Sequence, residues 1–285
     1  MRAFERPIIV LALLTLKSSA ASAQLVEEYN PPRANCCLAD TAKSLADQLQ
    51  DWNQLGRYHA ANIELKATPP DPQRVVFMGD SITDNWRLAE FFPGKPYVNR
   101  GIGGQTTPQM LVRMYPDVID LKPSVMVVLA GTNDIARNTG PATLEMIEQN
   151  VMAMTELAQG HGIKVVLCSV TPISDYPALN PPAARAGQPG APGGAAPGGG
   201  RAGGPPRRKQ TEQRPPADIL RLNAWLKDYA TRVKAVYADF FPAVVDAKGW
   251  LKDGISGDGL HPNAQGYALM VPVVDAAIQQ ALQQR

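Results

Sequence analysis

The sequence predicts an α/β protein whose parallel sheet is covered by helices on both faces. Short, continuously apolar runs indicate buried strands, for example RVVFM at 74–78 and SVMVVLAGT at 124–132. Amphipathic segments with helical spacing, such as 141–162 and 217–233, alternate with these runs. We therefore expect a three-layer α/β/α sandwich with five parallel strands, at 74–78, 97–101, 124–132, 164–170 and 234–240.

Helices are expected at 40–67, 81–92, 108–121, 141–162, 217–233 and 263–284. In the first of them, TPPDP ends a pattern of apolar residues at helical spacing, formed by Leu45, Leu49, Trp52 and Leu55. The helix at 108–121 is expected despite Pro116. The helix at 141–162 has a proline near its start and a glycine near its end, which is the usual asymmetry.

The N-terminus has the pattern of a secretory signal peptide. A basic MRAFER segment precedes the apolar PIIVLALLTL, and ASAQ offers a small-residue cleavage site after Ala23. The apolar run is about ten residues long, which is too short to span a bilayer. We expect cleavage and a secreted or periplasmic protein without stable membrane insertion, and a retained anchor is the alternative. The chain then divides into a signal at 1–23, a lead-in and helix packed on the core at 24–73, and the main domain at 74–285.

The segment at about 178–216 departs from the alternation of strands and helices. Its central part, RAGQPGAPGGAAPGGGRAGGPPRRKQ at 185–210, is rich in Gly, Pro and Ala and cannot bury a core. We expect a disordered, solvated insertion within the main domain. The alternative is a basic arm that binds an anionic polymer or surface.

Charge and cysteine content exclude other classes of protein. The chain has 28 Lys and Arg and 26 Asp and Glu, and removal of 1–23 leaves equal numbers of the two signs. This balance argues against nucleic-acid binding. The three cysteines show no metal-ligand spacing, so no metal site is expected. Cys168 is expected to be a buried small apolar residue, whereas the adjacent Cys36 and Cys37 can form a disulfide, stay reduced or pair elsewhere.

Four short blocks carry the candidate chemistry. They are Gly79-Asp80-Ser81, NRGIGGQTT at 99–107, GTND at 131–134 and DGLHP at 258–262. The first three directly follow predicted strands, and sites in parallel sheets form at the carboxyl ends of strands. Acyl transfer by serine needs a nucleophile, a base, a group that orients the base and donors for the oxyanion, and the four blocks offer one of each.

Ser81 is the candidate nucleophile, because it lies at a strand-to-helix turn. His261 is the candidate base, because His59 lies in the N-terminal helix and His161 precedes the fourth strand, at the opposite end of the sheet. Asp258 lies three residues before His261, a spacing that lets its carboxylate reach Nδ1 of the imidazole. Taken alone, Ser81 can also be explained as a helix cap and DGLHP as turn chemistry.

Asn133 can donate its side-chain NH₂ to an oxyanion, or it can simply cap the following turn. Asp134 is interpreted as a structural cap or turn residue. GIGGQTT lacks the spacing of a dinucleotide-binding loop, so we interpret its glycines as backbone that approaches the substrate oxygen. Gly104 is the residue chosen for that N–H, because Gly101 and Gly103 can serve the geometry of the turn.

Together, and in this order, the blocks resemble those of the SGNH hydrolases, also called the GDSL esterase/lipase family. GDSIT is similar to the nucleophile block, GIGGQT and GTND to the two oxyanion blocks, and DGLHP to the Asp-x-x-His block. The resemblance covers about 74–175 and 217–285. It implies a flavodoxin-like α/β/α fold and ester hydrolysis without metal or cofactor. It also implies a Ser81, His261 and Asp258 triad, with an oxyanion hole formed by Ser81, Gly104 and Asn133.

The expected substrate is a small-molecule or glycan ester with a short acyl group, such as acetyl, on a carbohydrate or other polar alcohol. The apolar residues after Ser81 have core-facing spacing, and the insertion is too polar for a lipid-binding lid. Two alternatives remain open at this point. One is a lysophospholipase, lipase or thioesterase for longer acyl chains, and the other is a non-catalytic glycan-binding module.

Overall fold

The computed structural model describes residue 46 and residues 49–179 and 209–284. The chain divides into two compact units, Met1–Ala46 and Asp47–Arg285, and all elements given below belong to the second. The predicted signal peptide, Cys36, Cys37 and the central part of the predicted insertion lie outside the described residues. Within the described ranges, no helix is long and apolar enough to cross a bilayer.

The centre of the second unit is a parallel five-stranded sheet with the order β2-β1-β3-β4-β5. Its strands are β1 (Val75–Gly79), β2 (Tyr97–Gly101), β3 (Val125–Leu129), β4 (Lys164–Cys168) and β5 (Val236–Ala238). Every residue of β1 and β3 is buried, as expected for strands covered on both faces. The predicted parallel sheet is therefore confirmed, with shorter third, fourth and fifth strands.

Three long helices cover the sheet, and shorter helices connect its strands. In chain order they are α1 (His59–Lys66), α2 (Ser81–Asp84), α3 (Leu88–Phe91), α4 (Thr107–Val112), α5 (Met114–Asp117), α6 (Thr132–Ile135), α7 (Leu144–Gly160), α8 (Tyr176–Leu179), α9 (Gln210–Gln213), α10 (Pro216–Arg232), α11 (Phe241–Val244) and α12 (Ala264–Gln283). Helices α7 and α10 pack against β4 and each other, and α12 packs against β3, β4 and β5. The predicted α/β/α architecture is confirmed.

Two predicted helices are interrupted. The segment 108–121 forms α4, α5 and a 3₁₀ turn at Ile119–Leu121 instead of one helix. Pro116 explains the break, because its ring clashes with the carbonyl four residues earlier, at Val112, where α4 ends. The segment 81–92 divides into α2 and α3. Between them the chain turns so that the Trp86 ring, which is 2% exposed, stacks on Tyr267 at 5.1 Å between ring centroids.

The predicted helix at 40–67 is also wrong over part of its length. Residues 51–58 form turns, because the Asp51 carboxylate accepts the N–H groups of Leu55 at 2.7 Å and Gly56 at 2.8 Å. The expected apolar face is exposed at Leu49, Trp52 and Leu55. The helix that does form, α1, attaches to the domain through the buried Asn62, whose Nδ2 donates to Asp117 at 2.7 Å.

The two ends of the predicted insertion are ordered. Residues 176–179 form α8, and residues 210–213 form α9, which leads into α10 at Pro216. Thr211 ties α9 to the segment after β4, since its N–H and Oγ donate to the Asp175 carboxylate at 3.1 and 2.5 Å. The expectation of a disordered stretch therefore does not hold for 209–216, and for 180–208 it stays a prediction.

The carboxyl ends of β1 and β2 require glycine, because the turn after β1 crosses them at very short range. A Cβ atom on Gly79 would lie 2.1 Å from Thr83 Oγ1 and 2.7 Å from the Leu129 carbonyl oxygen. A Cβ atom on Gly101 would lie 2.1 Å from the backbone nitrogen of Asp84. The two glycines are partners in the sheet register, so this contact joins both strand ends to the turn that carries Ser81.

Gly101→Ala is expected to lower the free energy of unfolding by at least about 2 kcal/mol, because the added methyl group overlaps backbone that cannot move aside. Urea denaturation measures this. The matched control is Gly160→Ala at the end of α7, where a Cβ atom meets nothing within 4 Å. That control should change stability by less than about 1 kcal/mol, in the stabilising direction. Equal effects of the two changes would contradict the close approach.

Candidate active site

A continuous chain of hydrogen bonds joins three of the predicted site residues. Ser81 is the first residue of α2, directly after β1, and its Oγ lies 2.8 Å from Nε2 of His261. The other ring nitrogen, Nδ1, lies 2.6 Å from Oδ2 of Asp258. The structure thus brings together two residues 180 positions apart in the chain, with the carboxylate behind the imidazole.

The loop before α12 orients Asp258 and leaves one of its carboxylate oxygens for the imidazole. The other oxygen, Oδ1, accepts the N–H groups of Leu260 at 3.0 Å and His261 at 2.8 Å, and the hydroxyl of Ser256 at 3.1 Å. Partial burial acts to raise the pKa of Asp258, but the hydrogen bonds from the His261 ring and from these N–H groups outweigh it. The pKa is held below its ordinary value, so Asp258 is ionised at neutral pH.

Gly259 allows this loop to touch the segment that follows β4. Its φ is +82°, and a Cβ atom there would lie 2.0 Å from the carbonyl oxygen of Ser174. The carbonyl of Gly259 accepts the N–H of Ser174 at 2.8 Å. The glycine of DGLHP is therefore required by both conformation and space, which fixes the position of Asp258 relative to the sheet.

The backbone N–H of Ser81 has no acceptor in the part of the chain that the structure describes. Its neighbour Asp80 satisfies a different donor, the N–H of Ile82, at 2.9 Å. A Cβ atom built on Gly103 would lie 3.8 Å from the Cβ of Ser81, so the glycine loop after β2 lies directly beside Ser81. Asp84 holds this loop by accepting the N–H of Gly103 at 3.1 Å.

Gly104, which the resemblance places in an oxyanion hole, has a left-handed backbone conformation. Its φ of +80° is favourable only for glycine, and its carbonyl is turned toward Asn138, whose Nδ2 donates to it at 3.1 Å. Across residues 49–179 and 209–284, the N–H of Gly104 likewise finds no acceptor. Two unused backbone donors, on Ser81 and Gly104, therefore belong to adjacent loops.

Asn133 lies at the start of α6, just after β3, and is 2% exposed. Its Nδ2 donates to the carbonyl of Gln105 at 3.0 Å, which leaves the second N–H of the amide available. Its Oδ1 accepts from Nη2 of Arg214 at 3.3 Å. Asp134 has a different role, as predicted: its buried carboxylate accepts the N–H and Oγ of Thr107 and so ties α6 to α4.

Two buried arginines next to the site were missed by the sequence analysis. Arg214 was counted among the solvated basic residues of the insertion, yet it is 5% exposed and contacts Asn133. Arg113 was assigned to an ordinary helix, yet its Nη2 donates to the carbonyl of Gly79 at 3.0 Å. Nothing in their local sequence distinguishes these arginines from surface residues.

Arg113 connects the strand end, the glycine loop and α1. Its Nε donates to Gln105 Oε1 at 2.6 Å, and its Nη1 pairs with Asp117 at 2.9 Å. Asp117 in turn accepts from Asn62 of α1. Burial lowers the pKa of Arg113, and the paired Asp117 opposes that change. The guanidinium therefore stays charged while it holds the carbonyl of Gly79, two residues before Ser81.

The residues that the sequence analysis excluded from the site are accounted for elsewhere in the fold. The Nε2 atom of His161, in the turn before β4, lies 3.4 Å from the Tyr115 hydroxyl. His59 is the first residue of α1. Cys168 is a buried free thiol, as predicted, and burial raises its pKa, so it is unreactive. Within the described residues, no three His, Cys, Asp or Glu side chains are grouped to hold a metal ion.

The fold is the α/β sandwich of the GDSL/SGNH acylhydrolases, and it brings Ser81, His261 and Asp258 together in one hydrogen-bonded group. The profile of the GDSL-like Lipase/Acylhydrolase family matches residues 77–269, which is more than half of the chain. The chain therefore belongs to that family, and the resemblance seen in its four sequence blocks is confirmed.

Individual relatives agree with this assignment. A protein assigned as an acylhydrolase from Bacteroides fragilis has a crystal structure with a TM-score of 0.66. It is 35% identical, over 82% of this chain and 99% of its own. Lipoprotein YqeF of Bacillus subtilis is 32% identical over 118 residues, which are 35% of this chain and 49% of YqeF. Esterase TesA of Pseudomonas aeruginosa is 30% identical over 112 residues, or 34% of this chain and 54% of TesA. The chain thus spans about half the length of these two curated relatives.

Asp80, the residue before Ser81, is a buried carboxylate with a perturbed pKa. Burial raises its pKa to about 6, and the negative charge of Asp134 adds to the effect. The N–H of Ile82 and the nearby His261 and Arg214 oppose it. Because the folded pKa lies above the unfolded value, ionisation of Asp80 destabilises the folded state, and this penalty develops as the pH rises from about 4 to about 6.5.

Asp80→Asn is expected to stabilise the protein by roughly 1–3 kcal/mol more at pH 7.5 than at pH 4, because asparagine keeps the cap on Ile82 without the buried charge. Urea denaturation of both proteins at the two pH values measures this. The comparison at pH 4 is the internal control for any change in packing. A difference between the two proteins that does not vary with pH would contradict the buried charge.

Proposed function

We propose that this protein is a serine esterase with Ser81 as nucleophile, His261 as general base and Asp258 as the group that orients the base. The observation that carries the proposal is the hydrogen-bond chain from Ser81 Oγ through both ring nitrogens of His261 to Asp258. A serine whose hydroxyl contacts an imidazole, with an ionised carboxylate behind it, is the arrangement that generates an alkoxide nucleophile at neutral pH.

The first half of the reaction forms an acyl-enzyme. Ser81 Oγ attacks the ester carbonyl while Nε2 of His261 takes its proton, and Asp258 keeps Nδ1 protonated and stabilises the imidazolium. The N–H groups of Ser81 and Gly104 and the free N–H of Asn133 donate to the oxygen that becomes negative. When the tetrahedral intermediate collapses, His261 gives the proton to the departing alcohol. Water then repeats the sequence on the acyl-enzyme and releases the acid.

We further propose that the acyl group is short, with acetyl as the first choice, and that the alcohol is a carbohydrate or another polar molecule. The large apolar residues after Ser81 support this, since Trp86, Leu88 and Phe92 are all buried in the core and unavailable to line a lipid groove. One polar side chain at the site is that of Gln210, whose Nε2 donates to the carbonyl of Asp258 at 3.2 Å.

Export is part of the proposal. The predicted signal peptide at 1–23 supports it, and so does the similarity to a Bacillus subtilis protein described as a lipoprotein. Expression with the native N-terminus in a bacterial host, followed by fractionation and N-terminal sequencing, should find mature protein outside the cytoplasm that begins near Gln24.

Ser81→Ala is expected to lower the kcat for p-nitrophenyl acetate by at least about 10⁴-fold, because the covalent route is lost. The melting temperature should change little, because the hydroxyl contacts only His261. The matched control is Ser124→Ala at the opposite end of the sheet, where the hydroxyl donates to the Pro72 carbonyl. Activity of Ser81→Ala within about tenfold of the wild type would contradict the assignment of the nucleophile.

Chain-length specificity tests the substrate class. The Ser81-dependent kcat/KM for p-nitrophenyl esters is expected to be highest at acetate or butyrate and to fall toward palmitate, because no long apolar groove leads to Ser81 from the α2–α3 segment. A maximum at long chains would replace the proposal with a lipase, lysophospholipase or thioesterase. If no length gave a Ser81-dependent rate, the glycan-binding alternative would take its place.

A further inference from the structure

Arg214 occupies an unusual position for a residue at the border of a Gly- and Pro-rich segment. It lies between α9 and α10, is 5% exposed, and its guanidinium is surrounded by oxygen acceptors. Nε donates to Thr132 Oγ1 at 3.1 Å, and Nη2 donates to Asn133 Oδ1 at 3.3 Å. Nη1 donates to Gln210 and Gln213 at 2.8 and 3.3 Å. Four of the five N–H donors are therefore used within the protein.

We propose that Arg214 is a positioning residue for the oxyanion hole, acting through the side chain of Asn133. The inference rests on the proposed function, because it assumes that Asn133 donates to the oxyanion. Arg214 is not proposed to touch the substrate, since most of its donors already have acceptors in the protein.

The argument begins with the orientation of the Asn133 amide. A guanidinium has donors only, so the atom that faces Arg214 must be Oδ1. That choice directs Nδ2 to the opposite side, where one N–H meets the Gln105 carbonyl at 3.0 Å. The second N–H of the amide has no acceptor among the described residues, and it is the donor that the proposed oxyanion role needs. Without Arg214, Oδ1 of Asn133 would be a buried acceptor without a partner. The amide would also lose one of the two hydrogen bonds that fix its orientation.

Charge adds to the effect of orientation. A cation hydrogen-bonded to Oδ1 polarises the amide, and a polarised amide is a stronger donor at its N–H. No carboxylate forms an ion pair with Arg214 among the described residues, so its positive charge is not neutralised by a direct partner. Burial lowers the pKa of Arg214, and the charges of Asp80 and Asp258 oppose that change, which places the guanidinium within the field of the catalytic loop.

The arrangement also explains why 209–216 is ordered although it borders the Gly/Pro-rich segment. Helix α9 is held by Thr211 on Asp175, and the next turn places Arg214 on the first residues of α6. The returning end of the insertion thus contributes a residue to the site that the four sequence blocks do not contain.

A double-mutant cycle tests the inference on p-nitrophenyl acetate. Arg214→Met removes the N–H donors but keeps a long apolar side chain in their place. This variant is measured alone and in combination with Asn133→Ala. In the wild-type background, Arg214→Met should lower kcat by about 10- to 100-fold with KM changed less than about threefold. In the Asn133→Ala background it should lower kcat by less than about threefold, because the group through which it acts is gone.

Arg74→Met is the matched control, since Arg74 is also 5% exposed and donates to a backbone carbonyl, that of Leu121, at the opposite end of the sheet. It should lower the melting temperature with kcat changed less than about threefold. Equal losses from Arg214→Met in both backgrounds would overturn the inference, as would a rise in KM with kcat intact, which would indicate a substrate contact.

If Arg214→Met does not fold, it is replaced by Arg214→Ala. That variant is assayed with and without added methylguanidinium. Recovery of kcat by the cation in the Asn133-containing protein, and not in the Asn133→Ala protein, would support positioning through Asn133. No recovery by a folded Arg214→Ala protein would overturn it. Failure of the proposed function is distinguishable, because wild type and Ser81→Ala would then hydrolyse the ester at the same rate.

Discussion

The contact between the ends of β1 and β2 and the turn that follows β1 is the constraint on which the site depends. At Gly79 and Gly101 there is room for a hydrogen atom and for nothing larger, because a Cβ would overlap the Thr83 side chain at Gly79 and the backbone of Asp84 at Gly101. This proximity holds Ser81 at the edge of the sheet, beside the glycine loop. The other parts of the site thus meet a serine whose position is set by the close contact between the strand ends and the turn.

Two buried guanidinium groups support the segments around Ser81. Arg113 binds the Gly79 carbonyl and Gln105, so it supports the backbone below the site. Arg214 binds Thr132 and Asn133, so it supports the start of α6. Burying such a charge is costly unless its N–H donors have acceptors. For both arginines, most of these acceptors are amide, hydroxyl or carbonyl oxygens. Around the site, hydrogen bonds of these polar residues hold the loops together, whereas apolar packing does so elsewhere in the domain.

The strands and the four site blocks could be predicted because each is encoded locally. Continuous apolar runs indicate buried strands, and Asp258 and His261 lie close enough in sequence to be recognised together. The interruption at Pro116 was predictable in principle from proline sterics, whereas the turns at 51–58 depend on one carboxylate, Asp51, competing with helix formation. Arg113 and Arg214 could not be assigned from sequence, because a buried arginine is recognised only by acceptors that come from distant segments.

The Ser81–His261 contact joins the first strand of the sheet to the loop before the last helix, 180 residues later. Contacts of such long sequence separation form slowly, because loop closure must be completed before they contribute stability. Formation of this contact during refolding would therefore report the docking of β5 and α12, well after helices such as α7 have formed. During synthesis, the contact cannot form until the loop that carries His261 has been made.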